Sequence, residues 1–295
     1  EATTGAGYGL FLSADNGTMD YTITENHIYA YSVSGAWDLD NLGLFDPVYI
    51  KADVADGVGS GTLADPYSPG DGLSVGGNIY ALDTGGSYTT AGLTMGIAST
   101  ALFAAPGDNP LFTRGLTLNA DNALVMGLGF DLDNTDIAAI DIDNASRIKI
   151  RNNSIDITNN AGDAYGIYAD VATDIGSATD PVAILYNTIT AYSDTDIAGG
   201  IRFSSISDIY NSITRNDITV TSNGDDAFGI LGYSASGSVF AKITDNDTAH
   251  GGGIDVTGED FAFGIYLDAN DGSLGTVGTP LDVSDNDMNV TANLY

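Results

Sequence analysis

Carboxylates are the most abundant groups in this sequence that could do chemistry. The 295 residues include 40 Asp and Glu but only 8 Lys and Arg, which gives a formal net charge of −32. Asp131, Asp133, Asp141 and Asp143 occur in alternating segments, where two acids could lie about 5–10 Å apart, as glycoside hydrolysis requires. Most other acids occur in Asp/Asn/Gly clusters that are typical of solvated turns. We therefore predict no catalytic residues and no enzyme activity.

Calcium is the metal that the acidic clusters would suit. It binds several oxygen ligands from Asp, Asn and backbone carbonyls. No cluster matches a complete helix-loop-helix calcium loop, and the alternative is that the clusters keep the protein soluble. No cofactor is required under either interpretation, and Ca²⁺ is the one candidate. The predicted metal-binding residues are Asp131, Asp133, Asp136, Asp245, Asp247, Asp268, Asp271, Asp285 and Asp287.

Tyrosines suggest glycan binding as a second kind of interaction. Their rings could form a strip that stacks on sugars, although half-buried strand positions are the favoured interpretation. The residues concerned are Tyr165, Tyr168, Tyr192, Tyr210 and Tyr233.

The composition excludes several classes of protein. Eight Lys and Arg are too few to neutralise a phosphate backbone, so we expect no nucleic-acid partner. The absence of Cys excludes thiol nucleophiles and Cys-based zinc sites. No apolar run approaches the ~20 residues of a membrane-spanning helix, so we expect no membrane insertion.

Two short phrases recur along the chain and indicate the elements that position these side chains. A small or aromatic residue, Gly, and Ile or Leu occur together at Gly166, Gly200, Gly229 and Gly264, in steps of 34, 29 and 35 residues. A repeating unit of roughly 30–35 residues is typical of solenoid proteins. The second phrase is Asn-x-Ile, with two degenerate copies at the end. Its asparagines are Asn153, Asn187, Asn216, Asn246 and Asn286.

The repeats predict an all-β fold, a right-handed parallel β-helix of about ten short-stranded coils. Strands such as Ile155-Asp156-Ile157 alternate apolar and polar residues and are separated by Asp/Asn/Gly turns. Equivalent residues would stack ~4.8 Å apart in successive coils. We expect the repeated Asn to adopt the left-handed turn conformation and to hydrogen-bond along the axis, and the repeated Gly to mark a bend. An antiparallel sandwich is the alternative.

The string Ile-x-Ile-x-Asn-Asn-x-Ile at Ile148–Ile155 resembles the repeat of right-handed parallel β-helix proteins, the pectin-lyase-like superfamily. The resemblance covers residues 47–295 and is greatest to bacterial surface or passenger-type solenoids. It implies a polysaccharide lyase or hydrolase, a phage tailspike or a surface passenger. Lyases of this fold use calcium with an Arg or Lys base, whereas Arg147, Lys149 and Arg151 alternate among Asp neighbours here and indicate charge balance.

Three regions are predicted along the chain. Residues 47–118 resemble the opening coils and cap of secreted β-helices, and residues 119–295 form the repetitive body. Residues 1–46 resemble the end of a solenoid, since Glu25–Ser32 matches Tyr186–Ser193 at five of eight positions. Residues 282–295 carry the Asn-x-Ile type of strand without a following Gly-Ile phrase, and placing residues 1–46 after them would restore the order of the repeat.

We therefore expect an extracellular or cell-surface structural protein whose copies assemble head to tail into a filament by stacking of strands and coils. The alternatives are one period of a longer tandem protein, an N-terminal segment that folds back as a cap, a polysaccharide-acting enzyme, and an adhesin passenger that binds glycans without cleaving them. The predicted subunit interface consists of Tyr8, Leu10, Leu12, Ile23, Ile28, Leu281, Val283, Met288 and Val290.

Overall fold

The computed structural model describes residues 31–32, 35–36, 47–134, 136–143, 145–250, 252–276 and 278–293. The chain divides into two compact units, residues 1–47 and 48–295. In the first unit, β1 (Tyr31–Ser32) pairs antiparallel with β2 (Gly35–Ala36). The predicted interface residues Tyr8, Leu10, Leu12, Ile23 and Ile28 lie outside the described residues.

In its described residues, the second unit consists of short strands with one α-helix, α1 (Pro69–Val75), and one 3-10 helix, Thr248–His250. The strands are β3 (Val48–Lys51), β4 (Asn78–Leu82), β5 (Leu93–Met95), β6 (Ala101–Ala104), β7 (Leu111–Phe112), β8 (Leu116–Leu118), β9 (Leu124–Met126), β10 (Gly129–Asp133), β11 (Ala138–Ile142), β12 (Lys149–Arg151), β13 (Ser154–Asn159), β14 (Ala164–Val171), β15 (Val182–Leu185), β16 (Thr188–Ser193), β17 (Ala198–Ser205), β18 (Ile209–Thr214), β19 (Asp217–Ser222), β20 (Ala227–Ser234), β21 (Val239–Thr244), β22 (Ile254–Gly258), β23 (Ala262–Ala269), β24 (Asp282–Ser284) and β25 (Met288–Ala292).

These strands form three parallel sheets, which the chain visits in turn. Sheet 1 has nine strands in the order β3-β4-β6-β9-β12-β15-β18-β21-β24; sheet 2 has seven, β7-β10-β13-β16-β19-β22-β25; sheet 3 has seven, β5-β8-β11-β14-β17-β20-β23. From β8 onward, each strand therefore pairs with the strand three places earlier in the chain, which belongs to the preceding coil. The predicted parallel β-helix is confirmed, with nine coils in its longest sheet, and the antiparallel sandwich is wrong.

Apolar side chains fill the interior in columns that run along the axis. In sheet 1 the register stacks Ile150 on Ile184, Ile184 on Ile213 and Ile213 on Ile243, all with no exposed surface. Sheet 2 contributes the equivalent column Ile155, Ile189, Ile218 and Ile254. Burying one side chain in two along each strand explains the period-2 alternation of the sequence.

The sequence predicts that the repeated glycines mark bends, but they do not lie at bends. Gly166, Gly200, Gly229 and Gly264 lie inside β14, β17, β20 and β23. A Cβ atom at Gly200 would clash with Cγ2 of Ile218 in the next coil and would lie 2.7 Å from the carbonyl oxygen of Gly229. Glycine is therefore required because sheets 2 and 3 approach each other too closely for a side chain.

The repeated asparagines form a continuous internal ladder, as predicted. The side-chain oxygen of Asn187 accepts hydrogen bonds from the backbone N and the Nδ2 of Asn153, both at 3.0 Å. Asn216 accepts from Asn187 in the same way, and Asn246 from Asn216. Each Nδ2 also donates to backbone carbonyls, such as that of Ile184 for Asn216, so these buried amides are satisfied.

The expected left-handed conformation belongs to the residue before each ladder asparagine and not to the asparagine itself. A positive φ at that position turns the chain from sheet 1 into sheet 2 and leaves the asparagine free to point inward. The residues concerned are Asn152, Tyr186, Arg215, Asp245 and Asp285, with φ between 53° and 57°.

Helix α1 covers the first coil. Ser68 caps its N-terminus by accepting a hydrogen bond from the backbone N of Asp71 at 3.1 Å. Leu73 is buried in the core beside Ile50, and a Cβ atom at Gly72 would overlap the Ile50 side chain.

In the part of the chain that the structure describes, no helix is long and apolar enough to cross a membrane. The division of the chain at residues 46 and 118 stays a prediction.

Candidate assembly interface

The C-terminal coil exposes side chains whose counterparts in the preceding coil are buried in the interior. In the register of the sheets, Val283 follows Ile243, Met288 follows Ile254, and Val290 follows Val256. The preceding residues are at most 2% exposed, whereas Val283, Met288 and Val290 are 42%, 51% and 43% exposed.

Additional apolar side chains surround these three. Leu281 is half-buried before β24, and Ile265 and Leu267 are half-buried on β23. The four predicted interface residues that the structure describes, Leu281, Val283, Met288 and Val290, therefore lie together in one coil. Their exposure identifies an apolar end surface, which we name the C-terminal face and define by Leu281, Val283, Met288, Val290, Ile265 and Leu267.

Backbone groups at the same end are also available for pairing. β23, β24 and β25 are the last strands of their three sheets and pair with a neighbour on one side only within the described residues. Such edges present rows of N–H and C=O groups that another strand can extend.

The asparagine ladder reaches this face as well. The Oδ1 of Asn286 accepts from the backbone N and the Nδ2 of Asn246, at 3.3 and 2.8 Å. Its own Nδ2 donates to the carbonyls of Ile243 and Ser284. Asn153, Asn187, Asn216 and Asn246 each also donate a backbone N–H to the asparagine of the following coil. No acceptor for the backbone N–H of Asn286 is present among the residues described here, so the ladder can be extended by one more oxygen.

Next to the face lies an acidic groove of about 530 Å³. It is lined by Asp217, Thr248, Gly252, Gly253, Asp255, Asp287, Met288 and Asn289. Burial raises the pKa of the Asp217 carboxyl above its usual range, and the charge of Asp255 raises it further. Asp287 differs, because hydrogen bonds from the hydroxyl and backbone N of Thr248 lower its pKa.

Sequence reasoning missed Asp217 and Asp255 and included Asp287 only as a metal ligand. The available signal was an insertion: 18 residues separate Asn246 from Gly264, whereas 13 separate Asn216 from Gly229. The additional residues contain the 3-10 helix that forms one wall of the groove.

The nine predicted metal ligands are spread over several coils. Asp131 and Asp133 lie on β10, Asp245 precedes the ladder at Asn246, and Asp268 accepts a hydrogen bond from the hydroxyl of Tyr266 at 3.3 Å. No group of three His, Cys, Asp or Glu with metal-binding geometry occurs in the described part of the chain. Calcium binding stays a prediction.

One of these predicted ligands, Asp136, has a protein partner. It accepts hydrogen bonds from Nε and Nη2 of Arg114 at 2.7 and 3.0 Å and from the backbone N of Gly115 at 2.9 Å. The guanidinium group lowers the pKa of this carboxyl. The pair accounts for Asp136 without a metal ion.

Of the carboxylates considered for glycoside hydrolysis, Asp131 and Asp133 lie on β10 of sheet 2, Asp141 lies on β11 of sheet 3, and Asp143 follows β11. Asp131 pairs with Asp156 across β10 and β13. Burial raises the pKa of Asp141, and Asp143 raises it further. Burial followed by the charge of Asp131 raises the pKa of Asp156.

The five tyrosines do not form a single strip. Tyr165, Tyr168 and Tyr233 lie on sheet 3, whereas Tyr192 lies on sheet 2 and Tyr210 on sheet 1. Tyr165 is buried and the other four are half-buried, which confirms the favoured interpretation.

A smaller aromatic cluster does form on sheet 3. The guanidinium carbon of Arg202 lies 5.1 Å from the ring centre of Tyr165 and 5.4 Å from that of Tyr168, a cation–π arrangement. Further along the same sheet, the ring of Phe228 stacks on that of Phe263, with 5.3 Å between the ring centres.

No family model, no curated protein and no solved structure matches this chain. The function is therefore inferred from the geometry of the described residues.

Proposed function

We propose that the protein is a structural subunit whose copies associate end to end through the C-terminal face, forming an extracellular filament or cell-surface appendage. The observation that carries this proposal is the exposure of Val283, Met288 and Val290 at positions that are buried in the preceding coil. A second copy that added a coil there would bury them, at about 25 cal/mol per Å² of apolar surface removed from water.

Strand addition supplies the second contribution. The open edges of β23, β24 and β25 would pair with strands of the incoming copy, and main-chain hydrogen bonds would fix its orientation. Because the C-terminal face of one copy binds a different surface of the next, the contact is heterologous, and stacking along the axis, which does not close into a ring, extends it into a filament. The net charge of −32 would oppose lateral clumping of such filaments.

The test compares Val290→Asp with the wild type by sedimentation velocity and electron microscopy over a range of concentrations. We expect the wild type to form unbranched filaments and the variant to remain monomeric, because a buried carboxylate opposes stacking. Ile206→Asp is the matched control, since Ile206 is 56% exposed on the side of the solenoid, and it should assemble normally. The same measurements on wild-type protein treated with a chelator test the role of calcium. If calcium is needed for assembly, the chelator should abolish the filaments. A wild type that stays monomeric at every concentration would overturn the proposal.

A polysaccharide-acting enzyme of the pectin-lyase-like type is the second candidate function, and the acidic groove favours it. Asp217, with its raised pKa, could act as an acid beside Asp255. The test is release of reducing ends or unsaturated products from acidic and neutral polysaccharides by the wild type and by Asp217→Asn. Binding without cleavage would favour the adhesin alternative, in which the rings around Arg202 contact sugars.

A further inference from the structure

We propose that residues 7–30 of a second copy are the segment that covers the C-terminal face, in one specific register with Asn26 as the next residue of the asparagine ladder. This inference rests on the proposed function and adds the partner segment and its alignment. It is argued from three columns of the β-helix that reach the face and from the sequence that could continue them.

The ladder fixes the first alignment. In the last coil, Asp285-Asn286-Asp287-Met288 places a left-handed residue before the ladder asparagine and an interior side chain two residues after it. Glu25-Asn26-His27-Ile28 has the same order of residue types. In this register the Oδ1 of Asn26 would accept from the backbone N–H and the amide of Asn286, as Asn286 accepts from Asn246.

The interior columns follow from the same alignment. Ile28 would stack on Met288 and Ala30 on Val290, because they occur two and four residues after the asparagine. Ile23 would stack on Val283, three residues before it. All three exposed apolar residues of the face would thereby gain an apolar neighbour.

Sheet 3 is compatible with this register. In the described coils, Phe228 pairs with Phe263, and Ile230 with Ile265, around the glycines Gly229 and Gly264. Tyr8-Gly9-Leu10 repeats that phrase. Gly9 precedes Asn26 by 17 residues, within the range of 16 to 22 by which the repeated glycines precede the next ladder asparagine in the described coils. A strand at residues 7–12 could therefore extend β23 while Asn26 extends the ladder.

Disulfide trapping can test the register, because the chain contains no Cys. The alignment places Tyr29 opposite Asn289, which is exposed on β25. Mixing Tyr29→Cys with Asn289→Cys under mild oxidation should yield a disulfide-linked heterodimer, since Cα atoms of directly paired residues lie within the range that a disulfide spans. Tyr29→Cys mixed with Thr291→Cys is the control, displaced by two residues along the strand, and should form at least tenfold less heterodimer.

Three outcomes separate this inference from the proposed function. Filaments of the unmodified protein together with the in-register heterodimer support both. Filaments with equal or greater trapping of the displaced pair overturn the register and leave end-to-end assembly intact. Trapping of neither pair, in variants whose circular dichroism and thermal unfolding match the wild type, overturns the proposed partner segment whether or not filaments form.

Discussion

Asparagine and glycine are the two residue types that determine the interior of this protein beyond its aliphatic columns, and asparagine acts through its side-chain hydrogen bonds. Asparagine stacks at one corner, where each side chain accepts from one neighbouring coil and donates to the next. The left-handed residue before it makes that orientation possible. A ladder of this kind provides hydrogen-bond partners for the buried amides and links each coil to the next. Because its hydrogen bonds form a continuous chain, they polarise and strengthen one another.

Replacement of a central ladder residue should therefore be costly. Asn216→Ala removes the acceptor of two hydrogen bonds from Asn187. The buried backbone N–H of Asn187 is then left unpaired, while its Nδ2 keeps the carbonyls of Ile150 and Leu185. We expect the free energy of unfolding to fall by about 2–4 kcal/mol, measured by urea denaturation. Asn223→Ala is the control, because the exposed side chain of Asn223 donates through its Nδ2 to Tyr192 and Asp194 on the surface and takes no part in the ladder. An equal effect of both variants would contradict a special role for the ladder.

A different buried asparagine should weaken the fold. Asn211 lies inside β18 between Val182 and Ala241 and is 3% exposed. Both its side-chain polar atoms lack a hydrogen-bond partner among the residues that the structure describes. Asn211→Val would remove the desolvated amide and restore an apolar column. We expect a gain of about 1–2 kcal/mol in the free energy of unfolding, measured in the same denaturation series. Destabilisation instead would indicate that a buried water satisfies this amide.

At the scale of elements, the glycine column sets how closely two sheets can approach. Gly166, Gly200, Gly229 and Gly264 lie where strands of sheet 3 pass the β-branched side chains of sheet 2. The repeat of a Gly-Ile phrase in the sequence therefore reports a packing constraint between strands. It carries no information about turns, since these glycines lie within the strands of sheet 3.

An alanine in this column should separate the sheets. Gly200→Ala places a methyl group against Ile218 and the backbone of Gly229, and we expect a loss of about 2–3 kcal/mol in the free energy of unfolding. The matched control is Gly96→Ala, where an added Cβ meets nothing within 4 Å and the unfolding midpoint should change little. Thermal unfolding followed by circular dichroism would distinguish the two. A Gly200→Ala variant as stable as Gly96→Ala would show that the strands move apart without penalty.

For the whole molecule, the two ends of the described solenoid differ. Helix α1 covers the first coil, with Leu73 buried next to Ile50. The last coil leaves Val283, Met288 and Val290 exposed. An axial stack with one covered and one open end has a direction, so a second copy would add to the open end through a segment other than its own covered first coil.

Charge should control how readily copies associate. Each copy carries a formal net charge of −32, so repulsion between copies opposes assembly at low ionic strength. We expect the sedimenting fraction to increase between about 20 and 300 mM NaCl, as the screening length shortens from roughly 20 Å to below 10 Å. Val290→Asp should stay in the supernatant throughout this range. A decrease in assembly with salt would contradict apolar stacking and indicate an attractive ionic interface.

The sequence alone determined the class of fold and its period. Ile and Val at alternate positions, with Asn and Gly recurring together, specify stacked coils because only stacking gives each of these residue types a neighbour of its own kind. The same spacing predicted the ladder and placed Leu281, Val283, Met288 and Val290 in one surface. Those inferences depend on periodicity, which is a local and repeated property of the chain.

The tertiary structure decided what depends on contacts between coils. It placed the left-handed conformation at Asp245 and Asp285, before the ladder asparagines, and it assigned the repeated glycines to close approach between sheets. It also brought Asp217, Asp255 and Asp287 to one groove although they come from three different coils. Distances across coils follow from how the chain turns at each corner, and a repeat pattern does not specify that geometry.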